Sequence, residues 1–166
     1  HGRIRRQRQM CIRDRLDVGC MSTKPKFQTI DTNEESKRLD FFLQNISEYY
    51  DYSIDSFNPL VIRKAIDNGF LIINDVTGFK EDRLIKIAKE EGCGMIVMHK
   101  NPNSNYLHQK MNYKNIVEEV NSHLQMQVDN LVDKGINEKQ IAIDPGFGFG
   151  KTMEDSAELF LGLENL

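Results

Sequence analysis

At 166 residues, 39% of them hydrophobic and 28% charged, the chain has material for one folded domain with a single core. No apolar run approaches the roughly 18 residues that span a bilayer as a helix, so a soluble chain with no membrane partner is expected. The net charge of −3 is unevenly spread: residues 1–15 hold six arginines and one acid, Asp14, while the remainder holds 16 basic and 24 acidic residues.

The first segment, HGRIRRQRQMCIRDR, has no apolar stretch for a secretory signal and no serine for a transit peptide. Its end, Met10 to Arg15, resembles a translated sequencing adapter. Residues 1–15 are therefore expected to be non-native, with the domain proper running over 16–166. No nucleic-acid arm is inferred from its charge. The cysteines are Cys11, Cys20 and Cys93, with no CxxC pair. A reduced, cytoplasmic setting is expected, without structural disulfides or a zinc site.

From Leu16 onward one pattern repeats: a short apolar run, a polar loop, then an amphipathic helix. The predicted strands are Leu16–Gly19, Tyr52–Ile54, Leu71–Asn74, Met95–Met98 and Ile141–Asp144. The first helix is predicted over Asn33–Ser47, with Leu39, Phe42, Leu43 and Ile46 inward. Asn58-Pro59 starts the second and Asn68-Gly69 closes it. The third carries Leu84, Ile85, Ile87 and Ala88 and stops near Gly92. The fourth runs from about Tyr113 to Lys134, with a stripe of Ile116, Val117, Val120, Leu124, Val128, Leu131 and Val132. The last begins near Met153. Strand–helix alternation of this kind implies parallel strands with helical crossovers, as an open doubly wound sheet or a (β/α)8 barrel. A whole barrel takes about 250 residues, so five units suit part of one.

Each strand ends in a polar group: Asp17, Asp55, Asn74-Asp75, His99 and Asp144. In parallel α/β folds the carboxyl ends of the strands share one side, and ligands bind there. Carboxylates without basic neighbours suit a ligand rich in N–H donors. Asp75 is better placed to fix a turn, and His99 to hold its loop. His108 and His123 offer no metal-ligand spacing with His99. The run Asp144-Pro145-Gly146-Phe147-Gly148-Phe149-Gly150-Lys151-Thr152 follows a strand like a phosphate loop, yet the first glycine of G-x-x-x-x-G-K-[ST] would fall on Pro145. It supplies close backbone approach to a ligand instead.

The segments Ser53-Ile54-Asp55-Ser56-Phe57, Ile72-Ile73-Asn74-Asp75-Val76-Thr77-Gly78, Met98-His99 and Asp144 through Lys151 resemble, in order and spacing, those of dihydropteroate synthases. Asp17-Val18-Gly19-Cys20-Met21-Ser22-Thr23-Lys24-Pro25 resembles that family's D-[IV]-G-G-E-S-T-R-P loop. The resemblance implies an incomplete (β/α)8 TIM barrel of about five βα units, strands 2 to 6. It implies condensation of p-aminobenzoate with 6-hydroxymethyl-7,8-dihydropterin diphosphate, aided by Mg2+, and a homodimer. Asp55, Asn74 and Asp144 would bind the pterin, with Asp55 the catalytic residue. Met98 would pack on the pterin, Phe149 near the aminobenzoate, and Thr23 on a closing loop that Lys24 could join. The metal-binding asparagine of the family's first strand, and a lysine and an arginine of its last two, find no counterpart, so no metal ligand is assigned. Cys20, Met21 and Lys24 depart from the loop pattern, and lysine lacks arginine's bidentate fork. The polypeptide alone is expected to be inactive and prone to aggregate. The other readings are a methyltetrahydrofolate–corrinoid methyltransferase and a non-catalytic homologue.

Overall fold

The computed structural model describes residues 14–22, 30–104 and 107–166. Five strands, β1 (Arg15–Gly19), β2 (Asp51–Asp55), β3 (Ile72–Asp75), β4 (Gly94–Met98) and β5 (Ile141–Asp144), alternate with five helices. These are α1 (Thr32–Leu43), α2 (Pro59–Asp67), α3 (Asp82–Glu91), α4 (Ile116–Asp133) and α5 (Met153–Leu161). All adjacent strands are parallel and lie in chain order, β1-β2-β3-β4-β5. A doubly wound sheet reverses its order at a switch point, whereas a barrel adds each strand beside the last. The order therefore decides for a partial barrel.

Caps set the helix ends. Asn58 accepts from Leu60 N ahead of Pro59, and Gly92 ends α3 at φ 67°. The first helix stops at Leu43, short of the predicted Ser47, although Ile46 still packs on the core. The fourth starts at Ile116 rather than Tyr113. Asn115 caps it through Glu118 N, and Glu119 Oε1 accepts from Lys114 N and Asn115 N, which fixes an extended entry. Val132 is exposed, unlike the predicted stripe, because it lies one residue past Leu131 around the helix.

Alternation along the strands divides the residues between two faces. Tyr52, Ile54, Ile73, Met95 and Val97 join Leu39, Ile62, Ile66, Leu84 and Leu124 in the layer between sheet and helices. Phe70 lies 5.3 Å from Tyr52 and 6.1 Å from Phe42, between centroids. Phe70→Ala should cost about 3–5 kcal/mol in chemical denaturation, the range for a buried phenylalanine. Leu60→Ala, at an exposed site of α2, should cost little by comparison.

Candidate functional site

Residues paired across parallel strands point to the same face. One inner level holds Asp17, Ser53, Ile72 and Gly94. The next, nearer the carboxyl ends, holds Gly19, Asp55, Asn74, Ile96 and Ala142. Met98 and Asp144 pair one step further on. Four of the residues singled out in the sequence, Asp55, Asn74, Met98 and Asp144, are thus brought to one end of one face. Phe149 sits in the loop after β5, its ring stacked on His108 at 4.9 Å. Thr23 and Lys24 lie outside the described residues.

Asp55 has room because its neighbour is glycine: a Cβ on Gly19 would lie 3.3 Å from Asp55 Oδ2. Burial pushes the Asp55 carboxyl up to about 6, and the negative charges of Asp17, Asp75 and Glu35 push the same way. A raised folded-state value means that Asp55 favours folding most below its unfolded pKa. That contribution is lost as pH rises from about 4 through 6. Its capacity to accept two hydrogen bonds grows over the same window. Affinity for an N–H donor ligand should therefore fall as pH drops from 7.5 to 5, as measured by fluorescence titration.

Glu35 was not legible as a site-supporting residue, since a helical glutamate is ordinarily solvated. Here it is buried, with Oε1 accepting from Ser56 Oγ at 2.6 Å and Oε2 from Asn58 Nδ2 at 3.3 Å. It ties α1 to the loop that follows Asp55. Asp75 points to the helix side and is fully buried. It accepts from Thr77 N, Thr77 Oγ1 and Phe79 N at 2.7–2.8 Å, as expected of a turn-fixing residue.

At the other end of the cleft, Asp144 Oδ1 accepts from Gly146 N at 2.8 Å, and its carbonyl accepts from His99 N at 2.8 Å. The glycine loop is held from within by Lys151. Its buried ammonium lies 3.0 Å from His99 Nδ1 and donates to Gly146 O at 2.9 Å. An ammonium only donates, so His99 Nδ1 is the acceptor and Nε2 carries the proton. Burial, the Lys151 charge and His123 keep His99 neutral, pulling it down to about 3. Burial lowers Lys151 to about 8, against the pull of Asp144 and Asp155. This lysine corrects the expectation of carboxylates without basic neighbours. Nothing in its spacing indicates burial, although it closes the glycine-rich segment that carries the resemblance. His99 does hold its loop, as expected.

No group of three His, Cys, Asp or Glu among the described residues is placed to hold a metal. Asp17, the acid nearest Asp55 along the inner face, has one oxygen on Ser53 Oγ and the other on Asn74 Nδ2. The donor set described does not by itself fit a Mg2+ site.

A parallel βα array with its acidic and amide groups gathered at the carboxyl ends of the strands defines part of a barrel of the class whose ligand sites lie at that end. Residues 13–166 match the profile of the pterin binding enzyme family, and the chain belongs to that family. It is 33% identical over 156 residues to the dihydropteroate synthase of Clostridium beijerinckii, covering 92% of this chain and 55% of that protein. With the Escherichia coli K12 dihydropteroate synthase it shares 30% over 150 residues, covering 89% and 53%. The chain thus spans about half the length of the curated relatives it matches. Among solved structures it superposes on a Burkholderia cenocepacia dihydropteroate synthase complexed with 7,8-dihydropteroate, with a TM-score of 0.81 and 30% identity, covering 92% and 55%. A Xanthomonas albilineans dihydropteroate synthase with 4-aminobenzoic acid gives a TM-score of 0.80 at 28% identity, covering 92% and 55%. Among the described residues no helix is long and apolar enough to cross a membrane.

Proposed function

We propose that this chain supplies the pterin pocket of a dihydropteroate synthase, which joins p-aminobenzoate to 6-hydroxymethyl-7,8-dihydropterin diphosphate. The observation that carries the proposal is the shared face of Asp55, Asn74 and Asp144 at the carboxyl ends of β2, β3 and β5. A pterin edge presents an amino group beside a ring N–H, and a carboxylate such as Asp144 can accept both. Met98 is buried on the same face and offers a soft surface to the ring. In the reaction the CH2–O bond to diphosphate breaks and its electron pair leaves with pyrophosphate. The aniline nitrogen then forms the new N–C bond and gives up a proton. Asp55 would oppose the positive charge that develops on the pterin as pyrophosphate departs.

Phe149, stacked on His108, would flank the aminobenzoate, and Thr23 with Lys24 would belong to a loop closing over both substrates. Mg2+ would need ligands beyond the described residues. We further infer a homodimer in the cytoplasm, where the buried Cys20 and Cys93 would stay reduced. Residues 1–15 would lend the pocket no side chain, Arg15 serving only as the first residue of β1.

Several inner-face residues, among them Asp17, Gly19 and Ala142, are exposed in the chain by itself. The 166 residues alone are therefore expected to give no turnover. The test is a chimaera in which the chain replaces the matched segment of the E. coli relative. Pyrophosphate release that requires both substrates supports the proposal. A folded chimaera that binds neither pterin nor aminobenzoate overturns it.

A further inference from the structure

The inner face carries one polar arrangement that the proposed chemistry does not use. Asp17 on β1 is linked across β2 to β3, where Asn74 Nδ2 donates to its Oδ2 at 3.1 Å. Its other oxygen, Oδ1, accepts from Ser53 Oγ at 2.5 Å, and Ser53 is buried. Both oxygens of Asp17 are thus engaged by the protein. An ionised carboxylate has no donor, so it forces the nitrogen end of the Asn74 amide toward itself. The oxygen end is left shielded from solvent without any hydrogen-bond partner. An unpartnered buried acceptor is costly and is satisfied only when a donor arrives.

We infer that Asp17 is a positioning residue, held by Ser53, which locks the Asn74 side chain so that its carbonyl oxygen accepts an N–H from the ligand ring. This rests on the reading of the cleft as a pterin pocket. It also narrows the part played by Asn74. With its nitrogen committed to Asp17, it selects a ring nitrogen that bears hydrogen, and a ring nitrogen with only a lone pair at that position is disfavoured.

The test is pterin binding, followed by fluorescence, to the chimaera carrying the whole chain, with four variants. Asp17→Ala and Asp17→Asn should each weaken pterin binding about tenfold, since Asn74 is then free to turn its amide over. Asn74→Asp alone sets a carboxylate against Asp17 and should weaken it at least as much. The exchange Asp17→Asn with Asn74→Asp restores a donor facing an acceptor across the strands, again with an acceptor toward the ligand. It should recover affinity to within about threefold of the parent. The Asn74 side-chain amide signal in the nuclear magnetic resonance spectrum provides a readout independent of ligand. It should exchange slowly with solvent in the parent and quickly in Asp17→Ala. An unchanged affinity and unchanged amide exchange in Asp17→Ala would overturn the inference, as would an exchange variant no better than the single ones. If the parent binds no pterin while its Asn74 amide is protected by Asp17, the pterin reading fails and the lock stands.

Discussion

Asp144→Ala is expected to weaken pterin binding by about a hundredfold, equivalent to about 3 kcal/mol, with little change in the stability of the sheet. On the proposed reading the carboxylate would accept two charge-assisted hydrogen bonds from the pterin edge, each stronger than a neutral one. Its side chain makes one hydrogen bond within the protein, from Gly146 N. Asp144→Asn keeps the shape but presents a donor where the ligand also donates, and should lose nearly as much. Isothermal calorimetry on the chimaera, beside a thermal melt of each variant, separates lost contacts from lost folding.

Gly146→Ala should be a strongly damaging change in the loop. Its backbone sits at φ 68°, where a side chain is strained by about 1–2 kcal/mol. The added Cβ would also stand 2.4 Å from the His99 carbonyl oxygen and 3.3 Å from Lys151 Nζ. Backbone cannot yield as a flexible side chain does, so the loop must leave its path. Asp144, Lys151 and Phe149 would move with it. A cost of about 3 kcal/mol and loss of binding are expected together. Gly148→Ala is the control. Gly148 has a similar φ of 78°, yet nothing lies within 4 Å of the added carbon. It should cost only about 1 kcal/mol and leave binding measurable, so comparing the two melts isolates the steric contribution.

Much of this was legible in the sequence because it depended on local signals. Asn58-Pro59 and Gly92 mark helix ends through backbone chemistry that tertiary contacts seldom override. Short apolar runs bounded by Gly, Asp, Asn or His mark all five strands, and the convergence of Asp55, Asn74 and Asp144 follows from parallel order. The remainder depends on contacts between distant residues. Burial of Glu35 requires Ser56 and Asn58 as partners from another element. Burial of Lys151 requires the His99 ring, 52 positions away. The link from Asp17 to Asn74 spans 57 positions and joins β1 to β3 across β2. Spacing along a chain carries none of these. Tyr113 falls outside α4 for a related reason: periodicity extends the helix backward, while the Asn115 cap and Glu119 set its true start.

On the proposed reading, the inner-face acceptors of this chain form a pterin pocket. The decisive measurement is equilibrium titration of a 6-hydroxymethyl pterin, followed by its own fluorescence. It would be run at pH 7.5 on the parent chimaera and on Asp55→Ala, Asn74→Ala and Asp144→Ala. One saturable site is predicted in the parent, weakened at least tenfold by each substitution, while the melting curves show the variants folded. Saturable binding that survives all three substitutions, or a folded parent with no saturable binding, would contradict the claim.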